Sequence, residues 1–535
     1  MSATTEHVEN QARHDAGPRP GASENLLSPR RVWIGRGLGV VLALAVYLLL
    51  PQDDALSDSA RATAAIVTLV AIWWMSEAMP LAATSLVPIV ALPLAGVLPV
   101  AEATAPYAST TVFLFMGGFM IALAMQKWNL HKRIALLVMR VIGTQPRQLI
   151  LGVMVATAFL SMWVSNTATT LMMLPIGISV LALVATPDPS RTSDDPGSGP
   201  VSDMFADKDT KNFATSLMLS IAFAATIGGL ATLIGSPPNL ILAGFVEESL
   251  GVTIGFADWM KIGVPLSAVF LLLAWLLLTR VIYPTKLSAV VGGKDVLRNE
   301  LAKLGPMSRG EWVVLGVFVS AAVLWISREP LSGSETVTSL LPFVANLDDS
   351  IIAIGAALAL FLIPATRERG TTTMTLDWRT AQSGIPWGVL LLFGGGLSLA
   401  KAVQQTGLSE YIGTQVSGFG VLPVVLMIGA VCLVILMLTE LTSNTATAAT
   451  FLPVLGGVAL GLGIDPMLLL VPAAFAATCS FMLPVGTPPN AIVFGSGHVT
   501  MGQMIRAGVW LNLLGVVLIT GATMLLGEWA LGITM

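Results

Sequence analysis

Charge is scarce in this chain of 535 residues: 11% are Asp, Glu, Lys or Arg, 55% are hydrophobic, and the mean hydropathy is +0.81. A soluble domain carries about a quarter charged residues, so this composition excludes a soluble globule and describes a chain threaded repeatedly through a bilayer. Cysteine is nearly absent. Cys432 and Cys479 lie far apart in apolar stretches, which argues against a disulfide framework or a thiolate metal centre. Only four histidines occur, His7, His14, His131 and His498, all expected at surface or loop positions. With no His or acid pair beside a nucleophile, an intramembrane hydrolase is excluded and no enzyme is expected. The net charge of −4 says nothing about partners, and nothing points to nucleic acid. Residues 1–31 lack the apolar core of a signal peptide and read as a disordered tail, placed in the cytoplasm by Arg30, Arg31 and Arg36 at the first span.

What the chain does have is hydropathy in long runs. Spans are expected near 32–50, 62–80, 82–99, 111–127, 213–233, 259–280, 311–327, 350–364, 386–403, 467–485 and 508–531. Two more apolar stretches, 149–186 and 420–462, hold polar motifs at their middles: Ser165-Asn166-Thr167-Ala168-Thr169 and Ser443-Asn444-Thr445-Ala446-Thr447. An unbroken helix through either would carry those groups into lipid, so both are predicted to be re-entrant hairpins with the motifs at their tips. The fold class is therefore all-α and polytopic, about eleven transmembrane helices plus two hairpins.

The motifs belong to a duplication. Phe115, Gly117, Gly118, Ala122 and Leu130 match Phe393, Gly395, Gly396, Ala400 and Leu408 in the same register, 278 residues apart, as the two motifs are. Each motif is followed by a loop of one pattern, Gly235-Ser236-Pro237-Pro238-Asn239 and Gly486-Thr487-Pro488-Pro489-Asn490, 251 residues apart. The polar stretch 187–212, found only in the first half, roughly accounts for the shortened offset and reads as a solvated cytoplasmic linker. The domain plan is a first span with the first repeat over 32–280 and a second repeat over 281–535. Lys127, Lys132, Arg133, Arg140 and Arg147 precede the first hairpin, while only Lys401 and Glu410 precede the second. By the positive-inside rule the repeats are inverted, the first hairpin entering from the cytoplasm and the second from outside, with the C-terminus outside.

Proline pairs stop a helix by removing two backbone donors, and the preceding glycine lets the chain turn sharply, so each loop predicts a half-helix end at membrane depth. Paired interruptions at matching places in two halves mark the binding site of a secondary transporter. Helix N-termini suit a carboxylate, and freed carbonyls, hydroxyls and amide oxygens suit a small cation. Ser161 stands four residues before Ser165 and Thr439 four before Ser443, so each pair shares a helix face, and both halves are expected to build a similar cation cage. No Lys, Arg or His lies in or beside the motifs. Compensating charge is expected to arrive as cations bound with an anionic cargo. Glu77 and Glu440 lie inside apolar runs; Glu440 matches Met162 in the other half, which points to capping or pairing near the hairpin as much as to the site.

The ordered set of four motifs resembles the divalent anion/sodium symporter family, the sodium-coupled di- and tricarboxylate carriers, over residues 32–535. The resemblance implies a homodimer in the cell membrane. A transport domain would move past a scaffold as an elevator, carrying a C4 dicarboxylate of the succinate, malate or fumarate type with several sodium ions. It implies that Asn166, Thr167, Ser236, Pro237, Ser443, Asn444, Thr445, Thr487 and Pro488 face the substrate. Ser161, Ser165, Asn166 and Gly235 would line one sodium site, and Thr439, Asn444 and Gly486 the other. A dicarboxylate exchanger or a carrier of citrate or sulfate on the same scaffold, and more remotely an anion channel, remain as alternatives, with no organic cofactor in any of them.

Overall fold

The computed structural model describes residues 29–52, 56–143, 145–182, 207–285, 287, 293–368, 371–416 and 423–534. The expected tail lies outside these residues except for Pro29–Arg31, which open the first helix. Of the expected linker only Asp207–Asn212 is described, and it caps and begins a helix rather than continuing a loop.

The chain is helical almost throughout. Helices α1 (Pro29–Leu49) and α2 (Asp58–Ser76) form an antiparallel pair, Ser57 capping α2 by accepting the Ala60 N–H. Glu77 ends α2 in the left-handed region, φ 50°, and is exposed, so that acid closes a helix rather than entering an apolar interior. The expected span 82–99 is instead cut into short helices, Leu81–Thr84 and Val87–Leu94, the break falling just before Pro88, which sits in the first turn of the second helix and cannot continue the first. Then follow α3 (Thr110–Lys127), α4 (Leu130–Ile142), and the pair α5 (Pro146–Ser161) and α6 (Asn166–Ala182). Next come α7 (Lys208–Gly228), α8 (Pro237–Leu250) and α9 (Phe256–Leu276).

The second half opens with α10 (Arg309–Ser332), started by a Ser308–Glu311 capping box, and α11 (Asp349–Leu362). A small antiparallel hairpin of β1 (Pro364–Glu368) and β2 (Thr371–Met374), unforeseen from hydropathy, leads to α12 (Trp387–Gln405) and α13 (Leu408–Val416). The series closes with α14 (Val424–Thr439), α15 (Asn444–Leu462), α16 (Met467–Thr478), α17 (Pro488–Gly495) and α18 (Met501–Leu531).

Eight helices among the described residues are long and apolar enough to cross a bilayer. Several expected spans are shorter: 350–364 is a helix of 14 residues, and 467–485 is helical only to Thr478. Burial shows where the centre lies. Every residue from Phe213 to Gly228 and from Met467 to Thr478 is buried, so α7 and α16, the two broken helices, are the innermost elements. Exposed Val, Leu and Trp side chains along α1, α10 and α18 supply the apolar outer surface.

Both predicted hairpins form as helix, turn, helix, with the polar motif at the turn, and both Pro-Pro loops separate two half-helices. The packing is reciprocal. First-half α8 lies against second-half α15 and α16, while second-half α17 lies against first-half α6 and α7. Each half therefore presents its broken helix to the other half's hairpin, which brings four helix starts to one place.

Ion pairs divide the molecule into two ends. Lys127 binds Asp377, Lys132 binds Glu300, and Arg133 binds Glu311 at 2.5 Å, tying α3 and α4 to the first turn of α10 and to the segments before α10 and after α11. At the opposite end of α10, Arg328 pairs with Asp349 at 3.0 Å near Asp258 and Glu329. His131, expected at a surface, is buried in α4. Its Nδ1 lies 2.9 Å from the Met125 carbonyl, and burial holds the ring below its ordinary pKa.

Candidate functional site: two facing oxygen cages

In the first half, Ser161 closes α5 and Asn166 opens α6 across a four-residue turn. Ser161 Oγ lies 2.5 Å from Asn166 Oδ1 and 2.7 Å from the Ala225 carbonyl of α7. In the second half, Thr439 Oγ1 lies 2.7 Å from Asn444 Oδ1 and 2.9 Å from the Ala477 carbonyl of α16. Each cage is an oxygen triad served by a single hydroxyl proton, because amide and peptide oxygens only accept. Such a surplus of acceptors is what a hard cation requires, provided the hydroxyl turns its proton outward and the oxygens part to admit it.

The unwound loops complete the cages. In the first half, a Cβ on Gly229 would meet Asn166 Oδ1 at 2.9 Å and the Gly235 carbonyl at 3.1 Å, so Asn166, Gly229 and Gly235 crowd one point that only glycine leaves open. In the second half, Asn444 Nδ2 donates to the Thr478 carbonyl at 3.1 Å, while the close neighbours of Gly486 are Ser480 and Glu440. The Ser236 and Thr478 hydroxyls lie 3.0 Å apart and join the first-half loop to the second-half broken helix. One run of contacts thus links Asn166, Gly235, Ser236, Thr478 and Asn444.

Of the other expected residues, Ser165 accepts the Ala168 N–H at 3.3 Å, and Thr487 caps α17 by accepting the Asn490 N–H at the same distance. Ser165, Asn166, Thr167, Ser443, Asn444, Thr445 and Pro237 are half-buried, and Pro488 is exposed, so the tips open out of the packed interior. Ser161, Thr439, Ser236 and Thr487 are buried.

Three supports lie behind the cages; the sequence pointed to a capping or pairing role for Glu440 and missed the other two. Asn239 Nδ2 donates to the Gly229 and Thr232 carbonyls at 2.9 and 2.8 Å, and Asn490 Nδ2 to the Ser480 and Leu483 carbonyls, both at 3.1 Å. These asparagines, last in the Gly-Ser/Thr-Pro-Pro-Asn pattern, staple each unwound segment to the half-helix that follows; the repeated pattern itself was the available signal. Gly263 and Gly508 let α9 and α18 lie directly on the unwound carbonyls. A Cβ on Gly263 would come within 2.6 Å of the Leu230 carbonyl, and one on Gly508 would collide with that of Phe481.

Glu440 is the third. Its Oε1 accepts the N–H groups of Phe481 at 2.8 Å and Met482 at 2.9 Å and the Asn512 amide at 2.7 Å, while Oε2 accepts the Leu483 N–H at 3.0 Å. Four donors converge on this one buried carboxyl group, so Glu440 serves as the clamp of the second unwound segment. Trp259 Nε1 and Ser267 Oγ face the first segment, on the Leu230 and Ile227 carbonyls.

A polytopic helical core, two hairpins and two broken helices whose starts converge, with no Lys, Arg or His in or beside the four motifs, define a multi-pass membrane transporter. The chain belongs to the family described as the sodium:sulfate symporter transmembrane region, whose model matches residues 32–533. It is 42% identical over 504 residues to the sodium-dependent dicarboxylate transporter SdcS of Staphylococcus saprophyticus, covering 94% of this chain and 93% of that one. It is 41% identical over 491 residues to SdcS of Staphylococcus aureus, covering 91% and 90%. In fold it is similar to the crystal structure of the Alcanivorax borkumensis YdaH transporter, with a TM-score of 0.55, 14% identity, and coverage of 92% of this chain and 98% of that one.

Proposed function

We propose that this chain is a cell-membrane symporter that uses inward sodium movement to take up C4 dicarboxylates. The observation that carries the reading is the pair of matched oxygen cages, Ser161/Asn166/Ala225 and Thr439/Asn444/Ala477, joined through Ser236 and Thr478 with no fixed cation between them. Each cage holds one sodium ion, Gly235 contributing to the first, and Ser165 and Gly486 standing beside the two. The two positive charges and the four helix starts then hold the carboxylates of the cargo against Asn166, Thr167, Ser236, Pro237, Ser443, Asn444, Thr445, Thr487 and Pro488. The names of the curated relatives favour a dicarboxylate over sulfate or citrate.

The repeats are inverted in the membrane, with the N-terminus cytoplasmic and the C-terminus outside. Support comes from the ion pairs of Lys127, Lys132 and Arg133, which gather the bases before the first hairpin with the segments around Glu300, Glu311 and Asp377, while at the opposite end Lys261 and Arg328 stand among Asp258, Glu329 and Asp349. Alternating access proceeds as an elevator within a homodimer, the hairpins and broken helices α5–α8 and α14–α17 forming the mobile part.

Proteoliposomes test the function. An imposed inward sodium gradient alone is expected to drive succinate accumulation, saturably, with unlabelled C4 acids competing better than citrate or sulfate. Uptake that needs preloaded dicarboxylate and ignores sodium would replace symport by exchange.

A further inference from the structure

Outside the transport site, the described residues hold an apolar groove of about 610 Å³ between α10 and α11. Its size falls in the roughly 300–1,000 Å³ range of small-ligand sites. The groove is not an accident of loosely packed side chains. Gly316 on α10 and Gly355 on α11 both line it, and a Cβ at either position would find nothing within 4 Å.

The groove has a polar end. Trp312 lines it and is 60% exposed, as an aromatic at a membrane interface is. Arg309 lies one turn before Trp312 and Val313 on the row that continues through Gly316 and Ser320, so it stands at the mouth of the groove. Arg309 is exposed and takes part in none of the ion pairs among the described residues. A long apolar trough, an interfacial tryptophan and an unpaired guanidinium in line describe one kind of molecule, an acyl chain carrying a phosphate.

We propose that the α10–α11 groove binds one anionic phospholipid per chain, an acyl tail lying over Gly316 and Gly355 and the headgroup phosphate taken by Arg309. A second copy of the chain fits less well. A twofold contact with its axis through the groove sets trough against trough and leaves a void where packing should be.

Native mass spectrometry of the full-length, detergent-purified protein, titrated with phosphatidylglycerol or phosphatidylcholine, tests this without any transport measurement, so it stands or falls separately from the sodium reading. One phosphatidylglycerol per chain is expected to be retained in preference to phosphatidylcholine. Arg309→Gln should reduce that preference about fivefold, the equivalent of one surface charge. Gly316→Leu and Gly355→Leu should lose both lipids, with unchanged helical circular dichroism because the added side chains meet open space. Phosphatidylglycerol retained at wild-type strength by either glycine variant removes the tail from the groove, and an unchanged preference in Arg309→Gln removes the headgroup from its mouth. If a glycine variant splits an assembly into single chains with lipid binding intact, the groove belongs to a second copy and the proposal is overturned.

Discussion

The two half-sites agree in chemistry and differ in support. Both place a hydroxyl, an Asn amide oxygen and a helix carbonyl within 2.9 Å of the hydroxyl oxygen, and both staple the unwound segment with an Asn amide. The segments are held differently. The first satisfies its own N–H groups by tight turns, Leu230 to Ile227 and Ala231 to Gly228, and its carbonyls meet Trp259 and Ser267. The second offers three N–H groups to the carboxylate of Glu440, at the position that Met162 occupies in the first. The oxygens proposed to meet an ion are of the same kinds in both copies, hydroxyl, amide and peptide carbonyl, whereas the scaffold behind them was free to diverge once each segment's backbone polar groups had some partner.

The comparison is sharpened most by removing the shared atoms. Asn166→Ala and Asn444→Ala should each abolish dicarboxylate uptake in proteoliposomes while detergent-purified protein keeps its elution profile and helicity. Undiminished transport in both would take these residues out of the site.

Next in size is the contrast behind the cages. Glu440→Ala strands the buried Phe481 N–H, the part-buried Met482 and Leu483 N–H groups and the Asn512 amide, and breaking a buried cluster of this kind costs about 3–5 kcal/mol. Met162→Ala, at the matching position, should cost no more than about 1–2 kcal/mol, since only a side chain is trimmed. Thermal unfolding in detergent reads both, and equal losses would erase the distinction between the segments. Glu440→Gln should fall between them, keeping the Oε1 bonds but setting an amide donor against the Leu483 N–H.

The staples come third and should behave alike. Asn239→Ala and Asn490→Ala each remove two hydrogen bonds to carbonyls of the unwound segment, a loss of about 1–3 kcal/mol. A large difference between the two would mean that one loop is held by something other than its asparagine.

The smallest effect is expected where the halves match only in placement. Lys127 at the end of α3 binds Asp377, and its counterpart Gln405 at the end of α12 binds Glu102 at 3.1 Å. Lys127 and Thr380 hold the Asp377 carboxyl well below the usual carboxylate range. A depressed carboxylate contributes stability above its unfolded pKa and loses it only as pH falls through the folded value, so nothing should change between pH 6 and 8. Because the pair is only partly buried and screened by solvent, Asp377→Asn should cost about 1 kcal/mol or less in thermal unfolding.

How much of this was legible in the sequence depends on how local the signal is. Hydropathy and the doubled motifs pointed to the helix–turn–helix hairpins, the helix breaks and the proposed cage residues Ser161, Asn166, Thr439 and Asn444, because each of those features is local, within five residues or at a helix break. The partner carbonyls of Ala225 and Ala477 carry no signature, since every residue has one. Gly263 and Gly508 were invisible because their role is set by a segment about 30 residues away in the chain. Hydropathy overran Pro88, just before which the 82–99 run breaks, and it passed over the β1–β2 hairpin, too short and too near apolar α11 to register. His131 was misjudged by its basic neighbours, Lys132 and Arg133, which point into ion pairs and leave the imidazole facing inward.

Equilibrium binding of labelled succinate to the purified protein across sodium concentrations tests the central idea most directly. No binding without sodium is expected, then a cooperative rise with a Hill slope above one, which Ser161→Ala and Thr439→Ala each flatten to the same degree. Succinate bound equally well in sodium-free buffer would contradict the claim that cations enter these cages to receive the anion.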